Sequence, residues 1–188
     1  MKKINIEELH SIKKPLYVLV AGGIGAGKSY VVSKYLNGIK VIDPDETTIR
    51  LGNGVYDSSN VSKSISITKE KVEKMLKGDK SFVQQGTSAN LQSTINKMKK
   101  AKEHNFTTVL LYIDTDIDTA VKNVSMRTSR SEIPIKKIER TASGAKHTFD
   151  FITGKEISIS ATMILENLDM SINDVNILTD YAIHYKND

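Results

Sequence analysis

Two glycines, a lysine and a serine at fixed spacing carry the clearest chemistry in this chain. In Ala21-Gly22-Gly23-Ile24-Gly25-Ala26-Gly27-Lys28-Ser29, the residues Gly22, Gly27, Lys28 and Ser29 fall on the pattern G-x-x-x-x-G-K-[ST]. A polyphosphate needs several main-chain N–H donors converging on it, and Cβ atoms obstruct that approach. Glycines let the backbone curl. The amides of Gly22, Gly23, Ile24, Gly25, Ala26, Gly27, Lys28, Ser29 and Tyr30 can then form a concave nest. A helix starting there turns its positive end towards the same anion. The pattern assigns Lys28 to the β- and γ-phosphates and the Ser29 hydroxyl to Mg²⁺. The expected cofactors are therefore ATP or GTP, with Mg²⁺.

The flanking elements fit that loop. Leu16-Tyr17-Val18-Leu19-Val20 is a continuous apolar run, as a buried parallel strand should be. Tyr30, Val31, Val32, Tyr35 and Leu36 give the next segment one apolar helical side, and Asn37-Gly38 ends it. A second strand, Ile39-Lys40-Val41-Ile42, runs into Asp43-Pro44-Asp45-Glu46. Open α/β sheets bind ligands at that end of their strands. Asp43 and Asp45 are two residues apart, so on extended backbone they share a face and both can point to one site. Asp43 reads equally well as a cap before Pro44.

Residues 51–66 are polar and serine-rich and read as a long mobile loop over the site. A helix is predicted over 68–77 and a short third strand over 81–84, ending in Gln85-Gly86-Thr87-Ser88-Ala89-Asn90. Leu91, Ile95 and Met98 mark a helix to about residue 104, with Lys97, Lys99, Lys100 and Lys102 facing solvent. The fourth strand spans 107–113. Asp114 after it is either a helix cap or a metal-linked carboxylate. Ile117, Val121 and Val124 stripe the next helix, and Arg127, Arg130 and Pro134 precede another that runs to Ser143-Gly144. A fifth strand is expected at Ala161-Thr162-Met163-Ile164-Leu165, and a lead-in helix over 1–14. Strands alternating with helices predict an α/β protein with a mainly parallel five-stranded sheet. No linker or internal repeat divides residues 1–188, which read as one domain.

Composition narrows the class. Hydrophobic residues make up 39% and charged residues 26% of the 188, an ordinary globular balance. Apolar runs are too short to span a bilayer, and the first residues lack the apolar core of a signal peptide. The absence of cysteine excludes disulfides and thiolate chemistry and fits a cytoplasmic setting. The net charge of +5 is concentrated. Residues 122–146 hold seven cations (Lys122, Arg127, Arg130, Lys136, Lys137, Arg140 and Lys146) against Glu132 and Glu139, which accounts for the whole excess. Such a block suits a polyanionic partner or a solvated helical face. The four histidines are scattered and receive no role.

Taken in order, these parts resemble the small P-loop kinases, particularly the zeta-toxin and polynucleotide-kinase branch, from about residue 16 to 167. The resemblance implies a nucleoside-kinase-like P-loop NTPase fold with three α/β/α layers. It implies that Asp45, or Asp43, takes the proton of the acceptor hydroxyl, and that Arg127 and Arg130 belong to a lid over about 122–147. It also implies that Gln85, Thr87, Asn90 and Arg50 hold the acceptor, and that Ile164-Leu165-Glu166-Asn167 resembles the last strand and its terminal asparagine. Two positions depart from the family: Gln85-Gly86 replaces an acid at the end of strand three, and Thr48 stands where an arginine is expected.

The function these residues imply is ATP-dependent transfer of the γ-phosphate to a hydroxyl of a nucleotide, nucleic acid or nucleotide-sugar. The alternatives are a zeta-toxin-like UDP-amino-sugar kinase, or a nucleotide-binding module that transfers nothing. The resemblance also brings in an antitoxin-like protein partner, which no residue pattern in the sequence supports. No membrane partner is expected.

Overall fold

A computed structural model describes residues 2–127, 133–155 and 159–187. All six residues of β2 (Leu16–Ala21) are buried, because the strand is the middle of the sheet with helices over both faces. The strand order is β1 (Lys2–Lys3), β6 (Tyr181–Lys186), β5 (Thr107–Asp114), β2, β4 (Phe82–Gln85), β3 (Lys40–Ile42). Every pairing is parallel, with Val18 opposite Val83 on one side and Val109 on the other.

Strand alternation divides the core in two. Tyr17, Leu19, Leu110 and Tyr112 face Leu91, Ile95 and Met98 of α4 (Leu91–Glu103) and Phe149 of α6 (Ile135–Ile152). Leu16, Val18, Val20, Val109, Leu111 and Ile113 face Val31 and Val32 of α1 (Lys28–Tyr35). The outcome is the three-layer α/β/α fold, with its strands' C-terminal ends along one edge.

Local chemistry starts the helices along that edge. The Asp43 carboxylate accepts the Asp45 N–H at 2.8 Å, and Pro44 opens α2 (Pro44–Leu51) as its first residue. Asn90 caps α4 through the Ser93 N–H, and Asp116 caps α5 (Ile117–Ser125) through the Thr119 N–H, both at 2.8 Å.

Several expectations give way. The sheet has six strands, and residues 161–165 lie in a helix, α7 (Ile159–Asn167). A short apolar run does not separate strand from helix by itself. Here the buried pair is Ala161 and Leu165, four apart as on a helix face. The last strand is Tyr181–Lys186, so the residue after it is Asn187 rather than Asn167.

The segment 51–66 is mostly structured. A turn of 3-10 helix, Ser58–Asn60, is capped by Asp57 and leads into α3 (Val61–Leu76), seven residues earlier than predicted. Its serines read as loop residues, but buried Ser64 donates to the carbonyl of Pro44 and holds α3 close to α2. The lead-in helix is a two-residue strand and a 3-10 turn over Ile6–Ser11. Helix α6 continues past Gly144 because Ala145, Phe149 and Ile152 extend its buried stripe. Of the four lysines expected in solvent, Lys100 pairs with Glu73, Lys102 pairs with Asp180, and Lys97 is half-buried.

Candidate functional site

A cleft of about 560 Å³ opens over the glycine loop at the C-terminal edge of the sheet. Three strand ends and α2 line it. The loop contributes Ile24, Gly25, Gly27, Lys28 and Ser29; the end of β3 and α2 contribute Asp43, Pro44, Asp45, Glu46 and Ile49; the end of β4 contributes Gln85, Gly86 and Thr87. Arg127 completes the lining from the segment after α5.

The loop is braced from outside. The Gly25 carbonyl accepts from Asn123 Nδ2 at 2.8 Å. The Ala26 carbonyl accepts from Thr115 Oγ1 at 3.0 Å and from Asn187 Nδ2 at 3.2 Å. The Ile24 N–H donates to Thr141 Oγ1 at 3.1 Å, and the Gly22 N–H donates to the Thr87 carbonyl at 3.2 Å. These bonds fix the curl of the loop from α5, from α6 and from the residue after β6. Gly25 has φ +83° and passes so close to α5 that a Cβ there would lie 2.3 Å from the Ala120 carbonyl oxygen. None of the bracing residues Thr115, Asn123, Thr141 and Asn187 is signalled in the sequence. They are ordinary polar positions until the fold brings them to the loop.

Lys28 Nζ folds onto the loop, donating to the Gly22 carbonyl at 2.9 Å and the Gly23 carbonyl at 2.8 Å. Ser29 Oγ donates to Gln85 Oε1 at 3.4 Å, which ties the loop to the end of β4. Burial pushes the Asp43 carboxyl above the usual carboxylate range; the Asp45 N–H it accepts pulls the other way, as does the nearby Lys28 charge. Asp43 and Asp45 do meet at one cleft, but not as an extended pair. The chain turns into α2 at Pro44, so Asp43 caps the helix and Asp45 sits exposed in its first turn.

Other sequence candidates lie elsewhere. Tyr30 is 58% exposed and outside the cleft lining. Arg50 is exposed on the last turn of α2. Asn90 caps α4 and borders a neighbouring cavity. The Asp114 carboxylate is engaged by the Tyr112 hydroxyl at 3.3 Å and by His184 Nε2 at 2.8 Å, and it is not among the cleft-lining groups. Arg130 lies outside the described residues. Among the described residues no group of three or more His, Cys, Asp and Glu is placed to hold a metal ion, and no helix is long and apolar enough to cross a membrane.

A parallel sheet with a Gly-Lys-Ser loop leading from its central strand into α1 defines a P-loop protein of the kinase-like α/β type. The sequence profile of the zeta toxin family matches residues 3–176, and the chain belongs to that family. No curated protein matches the chain in sequence. Solved structures share the fold at low identity. In the Pnkp1/Rnl/Hen1 RNA repair complex the likeness has a TM-score of 0.60 at 16% identity, over 72% of this chain and 45% of that one. The PezAT toxin–antitoxin system of Streptococcus pneumoniae gives 0.60 at 15%, over 94% and 70%. The AvrRxo1-ORF1:AvrRxo1-ORF2 complex with sulphate ions gives 0.62 at 14%, over 87% and 66%. The same pair has been solved with ATP, at 0.59 and 14%, over 86% and 53%. The chain thus spans less than two thirds of the length of the first relatives it matches. At these identities the likeness is one of fold.

Proposed function

We propose that this protein is an ATP-dependent kinase that transfers the γ-phosphate to a hydroxyl of a nucleotide, nucleotide-sugar or nucleic acid. The observation that supports this is a single cleft bordered by Lys28, Ser29, Asp43, Asp45, Gln85, Thr87 and Arg127. Phosphoryl transfer asks mainly for positioning and charge stabilisation. The loop amides and Lys28 hold the phosphate tail, with Lys28 released from the two carbonyls it now occupies. The acceptor oxygen attacks the γ-phosphorus, and its proton passes to Asp45. The bond from the γ-phosphorus to the β,γ-bridging oxygen breaks, and ADP leaves with that electron pair. Arg127 offers several N–H groups to the charge that spreads over the transferring phosphoryl. Ser29 and Asp43 are the hard oxygen donors suited to Mg²⁺, which when bound would neutralise phosphate charge.

Lys28→Ala tests the reading. It should abolish transfer and weaken Mg·ATP binding in calorimetry while circular dichroism stays native. Wild-type protein that labels no hydroxyl in a broad acceptor screen with Mg·ATP would count against a kinase. Gln85 favours a second reading, a nucleotide-binding switch without transfer, because a neutral amide stands at the end of β4. Tight ATP binding without turnover would select it. The cations Lys136, Lys137 and Arg140 are exposed on α6, the helix whose Thr141 braces the loop. They support a polyanionic acceptor, for which affinity should fall steeply with salt if it is nucleic acid.

A further inference from the structure

Each neighbour grips its own part of the phosphate loop. Helix α5 holds residue 25, through Asn123 and the close approach of Gly25 to Ala120. Thr115 and Asn187 hold the Ala26 carbonyl. Helix α6 holds residues 23 and 24. A Cβ on Gly23 would lie 2.9 Å from Ala142 Cα, and the Ile24 N–H donates to Thr141 Oγ1 at 3.1 Å.

The grip of α6 falls on one peptide unit. The Ile24 N–H and the Gly23 carbonyl belong to the same planar group, and in a trans peptide they point opposite ways. At its carbonyl end this group accepts Lys28 Nζ at 2.8 Å and the Ala26 N–H at 3.2 Å. Thr141 therefore pins the far end of the group on which Lys28 rests. The Thr141 hydroxyl is itself oriented: its one proton goes to the Ile138 carbonyl at 2.9 Å, which leaves its lone pairs for Ile24. Such a pin matters here, because Gly23 leaves the peptide free to turn.

A lysine already ordered at the loop loses less side-chain freedom on binding than one free in solvent. Exchange of two neutral carbonyls for phosphate oxygens then favours the phosphate, since charge-assisted bonds are the stronger. We infer that Thr141 is a positioning residue. It acts through the Gly23–Ile24 peptide on Lys28, and so strengthens binding of a nucleoside triphosphate over the diphosphate. The inference rests on the proposed nucleotide site, where Lys28 serves the β- and γ-phosphates. ADP offers it only the β-phosphate and depends less on where the ammonium is held.

Calorimetry with Mg·ATP and Mg·ADP on wild type, Thr141→Val and Thr141→Ser tests this. Valine keeps the shape of threonine and removes the acceptor; serine keeps the acceptor. Thr141→Val should bind Mg·ATP about tenfold more weakly, the common worth of one lost hydrogen bond. It should bind Mg·ADP within about threefold of wild type, which also shows that its loop is folded. Thr141→Ser should bind both as wild type does. Three results would each overturn the inference alone: Thr141→Val binding ATP like wild type, an equal loss for ATP and ADP, or Thr141→Ser behaving like Thr141→Val. Wild-type protein that binds neither nucleotide would instead refute the nucleotide site, and this inference with it.

Discussion

Replacing Gly25 with alanine probes how rigidly the fold holds the phosphate loop, and Gly38→Ala is its internal control. The two glycines have nearly the same backbone, φ +83° and φ +84°. An L-residue in that left-handed region costs about 1–2 kcal/mol at either position. Gly38 has nothing within 4 Å of an added Cβ, so its variant should lose that amount and no more. At Gly25 the Cβ would meet the Ala120 carbonyl oxygen at 2.3 Å, a backbone atom in α5 that no rotamer can move aside. Loop or helix must retreat by roughly 1 Å to restore an ordinary C···O contact. Overpacking of this kind adds about 1–3 kcal/mol, so Gly25→Ala should cost roughly 2–5 kcal/mol in all. The retreat also strains the bond from Asn123 to the Gly25 carbonyl, which opposes the curl of the loop. Each ~1.4 kcal/mol of that strain taken up by the loop lowers ATP affinity about tenfold. Urea unfolding gives the first quantity and calorimetry with Mg·ATP the second. A Gly25→Ala variant no less stable than Gly38→Ala, binding ATP as wild type does, would show that α5 does not clamp the loop.

Four further substitutions test the rest of the cleft and its neighbour. Asp45→Asn should lower kcat about 10²–10⁴-fold, the usual worth of a positioned base; Asp43→Asn, which keeps the helix cap, should chiefly raise the Mg²⁺ requirement, and the reverse pattern would exchange the two roles. Tyr17→Phe should destabilise the fold by about 1–3 kcal/mol in urea, because the buried Tyr17 hydroxyl donates to Gln84 Oε1 at 2.7 Å. Lys97→Met should flatten an alkaline rise in stability. The Lys97 ammonium is held below its ordinary value of 10.5, so the unfolded chain binds this proton more tightly; stability therefore rises with pH between the folded value and 10.5, and the variant lacks that contribution. Glu73 and Lys69 of α3, Lys100 of α4 and Tyr17 of β2 line one cavity with Lys97, so melts of both proteins across this range isolate Lys97.

The parts that read correctly from sequence are those where one short pattern dictates the physics. The run at β2 is apolar at every position because the strand is covered on both faces, and the glycine spacing of the loop commits the chain to a helix immediately after it. Pattern reading fails where one composition serves two structures. Residues 161–165 are apolar in either geometry, and only their spacing against the core makes them helical. Serines at 62, 64 and 66 look like loop residues, yet Ser64 is buried as the small contact between α3 and α2. Asp43 and Asp45 do not share the face of a strand, because Pro44 starts a helix between them. The braces on the loop come from α5, from α6 and from the residue after β6. A side chain almost 100 residues away in sequence leaves no local trace of that role.

The neutral Gln85 makes sense beside this arrangement of acids. Asp43 is already pushed towards protonation by burial, with the Asp45 charge adding to the push. A carboxylate at position 85 would enter the same cleft and push Asp43 further the same way, since like charges in one site disfavour each other's ionised form. The amide avoids that repulsion and still supplies an acceptor oxygen, which Ser29 uses. The cleft therefore takes its acids, Asp43, Asp45 and Glu46, from the start of α2 and its lysine, Lys28, from the loop. In the proposed kinase reaction the phosphate is held from the loop and the hydroxyl from α2. That division of charge comes from the strand order, because β4 stands between the strand that ends in the loop and the strand that ends in Asp43.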